Sequence, residues 1–185
     1  MDINQIEPKA IWKNFSALNS VPRPSKKEEK VIAFIKKFGE DLGLQTTVDE
    51  VGNVIIKKPA TSGMENRKSI VMQSHLDMVC QKNNDVNFDF DTQGIEMDGD
   101  WVKAKGTTLG ADNGLGVAAI MSVLESSDIP HPDLEALFTI DEETGMTGAK
   151  GLKPGQLEGE ILLNLDTEED DEIDIGCAGG IDVTA

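Results

Sequence analysis

Lys105–Ala118 reads K-G-T-T-L-G-A-D-N-G-L-G-V-A, and four glycines (Gly106, Gly110, Gly114 and Gly116) surround a single acid, Asp112. Glycines let the backbone turn tightly and approach other groups closely. An apolar run follows at once, with Val117, Ile120, Met121 and Leu124 at helical spacing. Asp112 therefore sits where a loop enters a buried helix. An acid there either caps the helix or serves as a ligand, and capping is the simpler role.

Three other stretches bear on that choice: His75-Leu76-Asp77, Glu142-Glu143 and Asp166. Each lies at the end of an apolar, strand-like run, where α/β folds place their chemistry. The runs are Ser69–Gln73, Leu134–Ile140 and Glu160–Leu165. The last is almost wholly apolar and reads as a buried strand.

The rest of the chain supplies scaffold. Ile11, Trp12, Phe15 and Leu18 form a helical stripe within Glu7–Leu18. After Val21-Pro22-Arg23-Pro24, Ser25 and Glu28 have capping-box spacing and predict a helix to about Leu42, closed by Gly43. Gln45–Glu50 and Asn53–Lys57 read as a hairpin. Trp101–Ala104 is a short strand, Gly145–Leu152 a turn and helix, and Glu172–Val183 one or two further strands. The order predicts one domain over residues 1–185 of α/β class, a mixed β-sheet flanked by helices.

Composition narrows the partners. The 185 residues carry a formal net charge of −17, which argues against a nucleic-acid backbone or an anionic membrane. No apolar run approaches the ~20 residues of a membrane span. The polar Met1–Lys9 segment lacks the features of a signal peptide. Two distant cysteines, Cys80 and Cys177, read as reduced thiols of a cytoplasmic protein, although a bridge between them is compatible with the sequence.

The candidate residues suit metal chemistry. On an extended strand His75 and Asp77 point to one side, so Asp77 can bond the ring nitrogen that a metal leaves free. Glu142 and Glu143 reach one site only if the backbone turns there, one as ligand and one as the base that takes a proton from water. One imidazole and several carboxylates suit Zn²⁺, Mn²⁺ or Co²⁺. The alternatives are a surface or core histidine with an incidental acid, and an exposed acidic turn. A second acidic stretch places Asp85, Asn87, Asp89, Asp91 and Glu96 at calcium-loop spacing, but Phe90 stands where that loop needs glycine. A P-loop is excluded because the Lys-Ser/Thr pair is missing.

Ser74–Val79, Lys105–Gly116, Glu142-Glu143-Thr144-Gly145-Met146 and Gly176–Asp182 together resemble the aminoacyl-histidine dipeptidases, within the larger family of dinuclear zinc aminoacylases and exopeptidases. The resemblance covers nearly the whole chain. It implies a zinc-exopeptidase-like catalytic domain that hydrolyses Xaa-His dipeptides. His75, Asp112 and Asp166 would hold one zinc, and Asp112 would bridge to a second held by Glu143. Glu142 would be the general base and Asp77 would orient His75. A cis peptide is expected at Asp112-Asn113. Members of that family are longer, dimerise through a second domain and complete the second zinc site with a late histidine. His131 matches no such ligand. The expectation is therefore an N-terminal part of a catalytic domain, incomplete at its C-terminus, with the first metal site stronger than the second. A sister exopeptidase or deacylase of other specificity, and an acidic calcium-binding module, are the competing expectations.

Overall fold

The computed structural model describes residues 3–88, 90, 95–167, 172–176 and 179. Its elements in chain order are α1 (Lys9–Asn19), α2 (Glu29–Asp41), β1 (Gln45–Val48), β2 (Val54–Lys58), β3 (Ile70–His75), β4 (Glu96–Asp98), β5 (Trp101–Lys103), α3 (Ala111–Glu125), β6 (Leu134–Thr139), α4 (Thr147–Gly151) and β7 (Ile161–Asn164). Five strands form one sheet in the order β1-β2-β6-β3-β7, and β4 pairs with β5 in a separate ribbon. β2 runs antiparallel to its two neighbours, β1 and β6, whereas β6, β3 and β7 run parallel. The mixed sheet expected from the sequence is present.

Alternation along the strands sorts side chains to two faces. On one face Val54, Ile56, Met72, Leu134, Ala136 and Phe138 meet Val31 and Ile35 of α2 and Val117, Ile120, Met121 and Leu124 of α3. α1 lies against α3 and adds Leu18. The other face carries a smaller cluster, Ile55, Val71 and Leu137, under Leu152 and Leu157. β6 is buried along its whole length, as a central strand covered on both faces requires.

The structure departs from the strand assignments of the sequence reading in two places. Glu96–Asp98 forms a strand at the end of the acidic stretch with calcium-loop spacing, where no strand is expected, because Trp101–Lys103 folds back on it. β7 is exposed rather than buried, with Leu162 56% accessible. It pairs with β3 on one side and has no second strand neighbour among the described residues. Of Glu172–Val183, residues 172–176 contain no strand, and most of the remainder lies outside the described residues, Cys177 included. Cys80 is a free, half-buried thiol.

One buried acid belongs to the scaffold. Glu135 on β6 meets Lys57 at 2.9 Å and accepts the backbone N–H groups of Glu158 and Gly159 at 2.7 Å each. Burial pushes its pKa up, but Lys57 and the two amides outweigh that and hold it below its ordinary 4.5. A lowered folded pKa means the stabilisation is complete above 4.5 and disappears as pH falls through the folded value. Glu135→Ala is expected to cost about 2 kcal/mol at neutral pH. Urea midpoints of the two proteins should converge toward strong acid; a gap that stays constant with pH would remove the ionised carboxylate from the account.

Candidate active site

The C-terminal ends of the three parallel strands converge, as the rule for ligand sites in α/β sheets requires. His75 closes β3, Glu142 and Glu143 follow β6, and Asp166 follows β7. Asp112 arrives from the start of α3.

His75 is the centre. Its side chain is buried, and its two ring nitrogens face different partners. Nδ1 lies 3.3 Å from Asp77 Oδ1 and 3.1 Å from the Asp77 carbonyl. Nε2 lies 3.1 Å from Asp112 Oδ1 and 3.6 Å from Asp166 Oδ2. Ligand atoms of His75, Asp112 and Glu143 all fall within 4.8 Å of one another. The structure thus brings together His75, Asp77, Asp112, Glu143 and Asp166. Glu142 shares the turn with Glu143, and its carboxyl feels the charges of His75, Asp166, Asp77 and Asp112.

Asp112 does not cap its helix. Gly110, in the left-handed region at φ 73°, takes the N-cap position, and no side-chain cap bond is present. The Asp112 side chain is 74% exposed and its oxygen faces His75. Non-helical torsions at Asp112 and Asn113, with a cis peptide between them, set the acid apart from the helix proper. Asn113 then donates to the Leu165 carbonyl and to Asp166 Oδ1, both at 2.8 Å, so the α3 entry and the β7 exit are fastened together. Gly116 permits this closeness: a Cβ there would lie 2.7 Å from the Leu165 carbonyl oxygen and would also strike Asn113 and Ser74.

The Glu142-Glu143 turn has the bend that the sequence required. Asp141 adopts a left-handed conformation at φ 52°, with its carboxylate held by the hydroxyls of Thr144 and Thr147. Asp77 accepts the N–H of Glu142 at 3.0 Å and of Glu143 at 3.3 Å. Asp77 therefore orients the histidine and the acidic turn at once. Ser25 also donates to it, at 2.8 Å.

Ser25 and Glu28 do not form the expected capping box. Ser25 turns to Asp77, and Glu28 accepts the Asp141 N–H at 3.1 Å. α2 starts at Glu29 with no side-chain cap bond. Both side chains serve the site instead of the helix. Arg23, which carried no signal in the sequence, is also buried here.

Electrostatics follow from burial against partners. Burial pulls the His75 pKa down, but Asp77, Asp166 and Asp112 outweigh it and raise it to about 9. Burial pushes Asp77 up, yet bonds from His75, Ser25 and the Glu142 amide bring it to about 2. Burial raises both Glu142 and Glu143; Asp166, Asp77 and Asp112 add to the rise at Glu142, as do Asp112, Asp77 and Glu142 at Glu143, while His75 opposes it at both. The charge balance is that of a site built for a cation. An imidazole nitrogen with its other nitrogen already engaged, facing several carboxylates, is the donor set of a divalent-metal site.

The calcium-loop alternative gains nothing. Asp89 and Asp91 lie outside the described residues, and Glu96 opens a strand where a calcium hand needs a helix.

Residues 53–175 match peptidase family M28. The chain belongs to this family. Over its full length this M28 chain is 49% identical to the cytosol non-specific dipeptidase of Escherichia coli, of which it covers 38%. It superposes on the aminoacylhistidine dipeptidase of Vibrio alginolyticus with a TM-score of 0.90 at 49% identity, covering 92% of this chain and 35% of that one. The Bacillus cereus aminopeptidase PepT gives a TM-score of 0.76 at 26% identity, covering 89% and 44%. The M28 chain thus spans little more than a third of the length of the two dipeptidases.

Proposed function

We propose that residues 1–185 carry the N-terminal part of the catalytic domain of a zinc-dependent dipeptidase that cleaves Xaa-His dipeptides. The observation that supports this most is the convergence on His75 Nε2. That nitrogen meets carboxylates from two separate loops while Asp77 occupies the other ring nitrogen. Family membership and the two dipeptidases similar to this chain support the reaction class.

In this reading His75, Asp112 and Asp166 would hold the first ion, and Asp112 and Glu143 would hold a second. Bound there, divalent zinc supplies Lewis-acid polarisation of the scissile carbonyl; manganese and cobalt suit the same donors. The chain's own residues do the rest. Asp77 keeps His75 in one tautomer and fixes the backbone of the acidic turn. Glu142 takes a proton from the attacking water and delivers it to the leaving amine, a role favoured by a pKa moved up toward neutrality. The first site, with three ligands in this chain, binds more tightly than the second, with two.

The whole protein is proposed to act in the cytoplasm as a homodimer, on dipeptides rather than on nucleic acid or at a membrane. No helix among the described residues is long and apolar enough to cross a membrane. A dipeptide panel assayed before and after chelation tests the function. Xaa-His peptides should be cleaved fastest, activity should vanish with the metal, and Zn²⁺ should restore it. Equal cleavage of peptides lacking histidine would favour a sister exopeptidase, and activity that survives chelation would refute the metal mechanism.

A further inference from the structure

Between α1 and α2 the chain makes no regular element, yet Arg23 from this segment lies under the proposed metal cluster. Its guanidinium is almost fully buried. Nη1 donates to the carbonyls of Leu76 at 3.2 Å and Asp77 at 3.3 Å. Nη2 donates to Asn19 Oδ1 at 3.0 Å and to the Gly110 carbonyl at 2.5 Å. The Arg23 carbonyl accepts the Met78 N–H at 3.0 Å. One side chain therefore grips the strand end that carries His75 and Asp77, and also the turn that launches Asp112.

The neighbours are shaped around it. A Cβ on Gly110 would strike Nη2, and one on Gly114 would lie 2.7 Å from it. Two of the four glycines around Asp112, Gly110 and Gly114, thus make room for a guanidinium. Burial lowers the Arg23 pKa to about 10, with Cys80, Asp77, Asp112 and Glu143 opposing the fall, so the group is a cation at neutral pH.

We propose that Arg23 is a positioning residue whose forked side chain sets the distance between the His75–Asp77 strand end and the Gly110–Asp112 turn. The consequence for metal binding rests on the metallopeptidase reading; the clamp itself does not. A planar fork gives two donor groups aimed at two loops, whereas an ammonium is a single point donor. Lysine keeps the charge and loses the span.

Hydrogen–deuterium exchange on the 185-residue chain tests this. Arg23→Lys should exchange about tenfold faster both at 76–78 and at 110–114, while the β2 and β6 amides remain as protected as in the wild type. Val31→Ala, a core truncation away from both loops, controls for loss of stability by raising exchange without that selectivity. Co²⁺ affinity should fall at least about tenfold in Arg23→Lys and stay within a few-fold in Val31→Ala. The proposal is overturned if either loop exchanges as in the wild type, or if the pattern in Arg23→Lys matches that of Val31→Ala. A wild-type chain that binds no Co²⁺ would refute the metal reading alone, and the exchange data would still decide the role of Arg23.

Discussion

Glu142→Gln, made in an active form of the protein, is expected to lower kcat about a hundred- to ten-thousand-fold while leaving KM and metal content near the wild-type values. Glutamine preserves the size of the side chain and the backbone bond from the Glu142 N–H to Asp77. What it removes is the ability to accept a proton. The Glu142 carboxyl is well suited to that task because burial raises its pKa and three nearby acids add to the rise against His75. Steady-state kinetics with metal analysis checks the expectation. A variant that keeps a tenth or more of kcat would assign the base elsewhere, and one that loses its metal would make Glu142 a ligand.

Asp112→Asn should weaken Zn²⁺ binding to the 185-residue chain at least about a hundredfold, since even partners behind a ligand cost ten- to a hundredfold. Titration calorimetry of the metal-free wild type should give close to one tight ion per chain. The side chain is mostly exposed and makes no helix cap, so weakening its bond to His75 should cost only about 1 kcal/mol and leave the chain folded, as thermal melts of the metal-free proteins would check. Loss of binding therefore cannot be put down to unfolding. Two tight ions in the wild type would refute the weaker second site, and equal binding by wild type and variant would take Asp112 out of the ligand set.

The positions of His75, Asp112, Glu142, Glu143 and Asp166 were legible because an acid or histidine that borders an apolar run stands out against β alternation and helical spacing. Their convergence follows from strand order, which local pattern does not encode. Ser25 and Glu28 show the limit most clearly. Their i, i+3 spacing suits a reciprocal helix cap, and the same spacing lets the two side chains reach Asp77 and the Asp141 amide. The competition is decided by loops more than fifty residues away. Arg23 was illegible for the same reason: three of its four acceptors are backbone carbonyls, which every residue has. β7 misled because Ile161, Leu162 and Leu163 look alike in sequence whether a strand is central or at an edge. The acidic strand β4 owes its form to pairing with β5, which outweighs the poor strand propensity of its acids.

The register of the parallel strands has a consequence for how the molecule comes into being. Ile70 sits opposite both Leu134 and Ile161, so each pairing must close a long loop before it gains anything. Topologies of this kind fold on the order of milliseconds to seconds. On a ribosome adding roughly 5–20 residues per second, His75 emerges well ahead of the Glu142-Glu143 turn, and Asp166 comes later still. The proposed donor set is thus complete only after all five strands of this sheet have been synthesised, and for about 2–6 seconds after Asp112 is added the nascent chain holds one histidine and one of the proposed acidic ligands, too few to retain an ion.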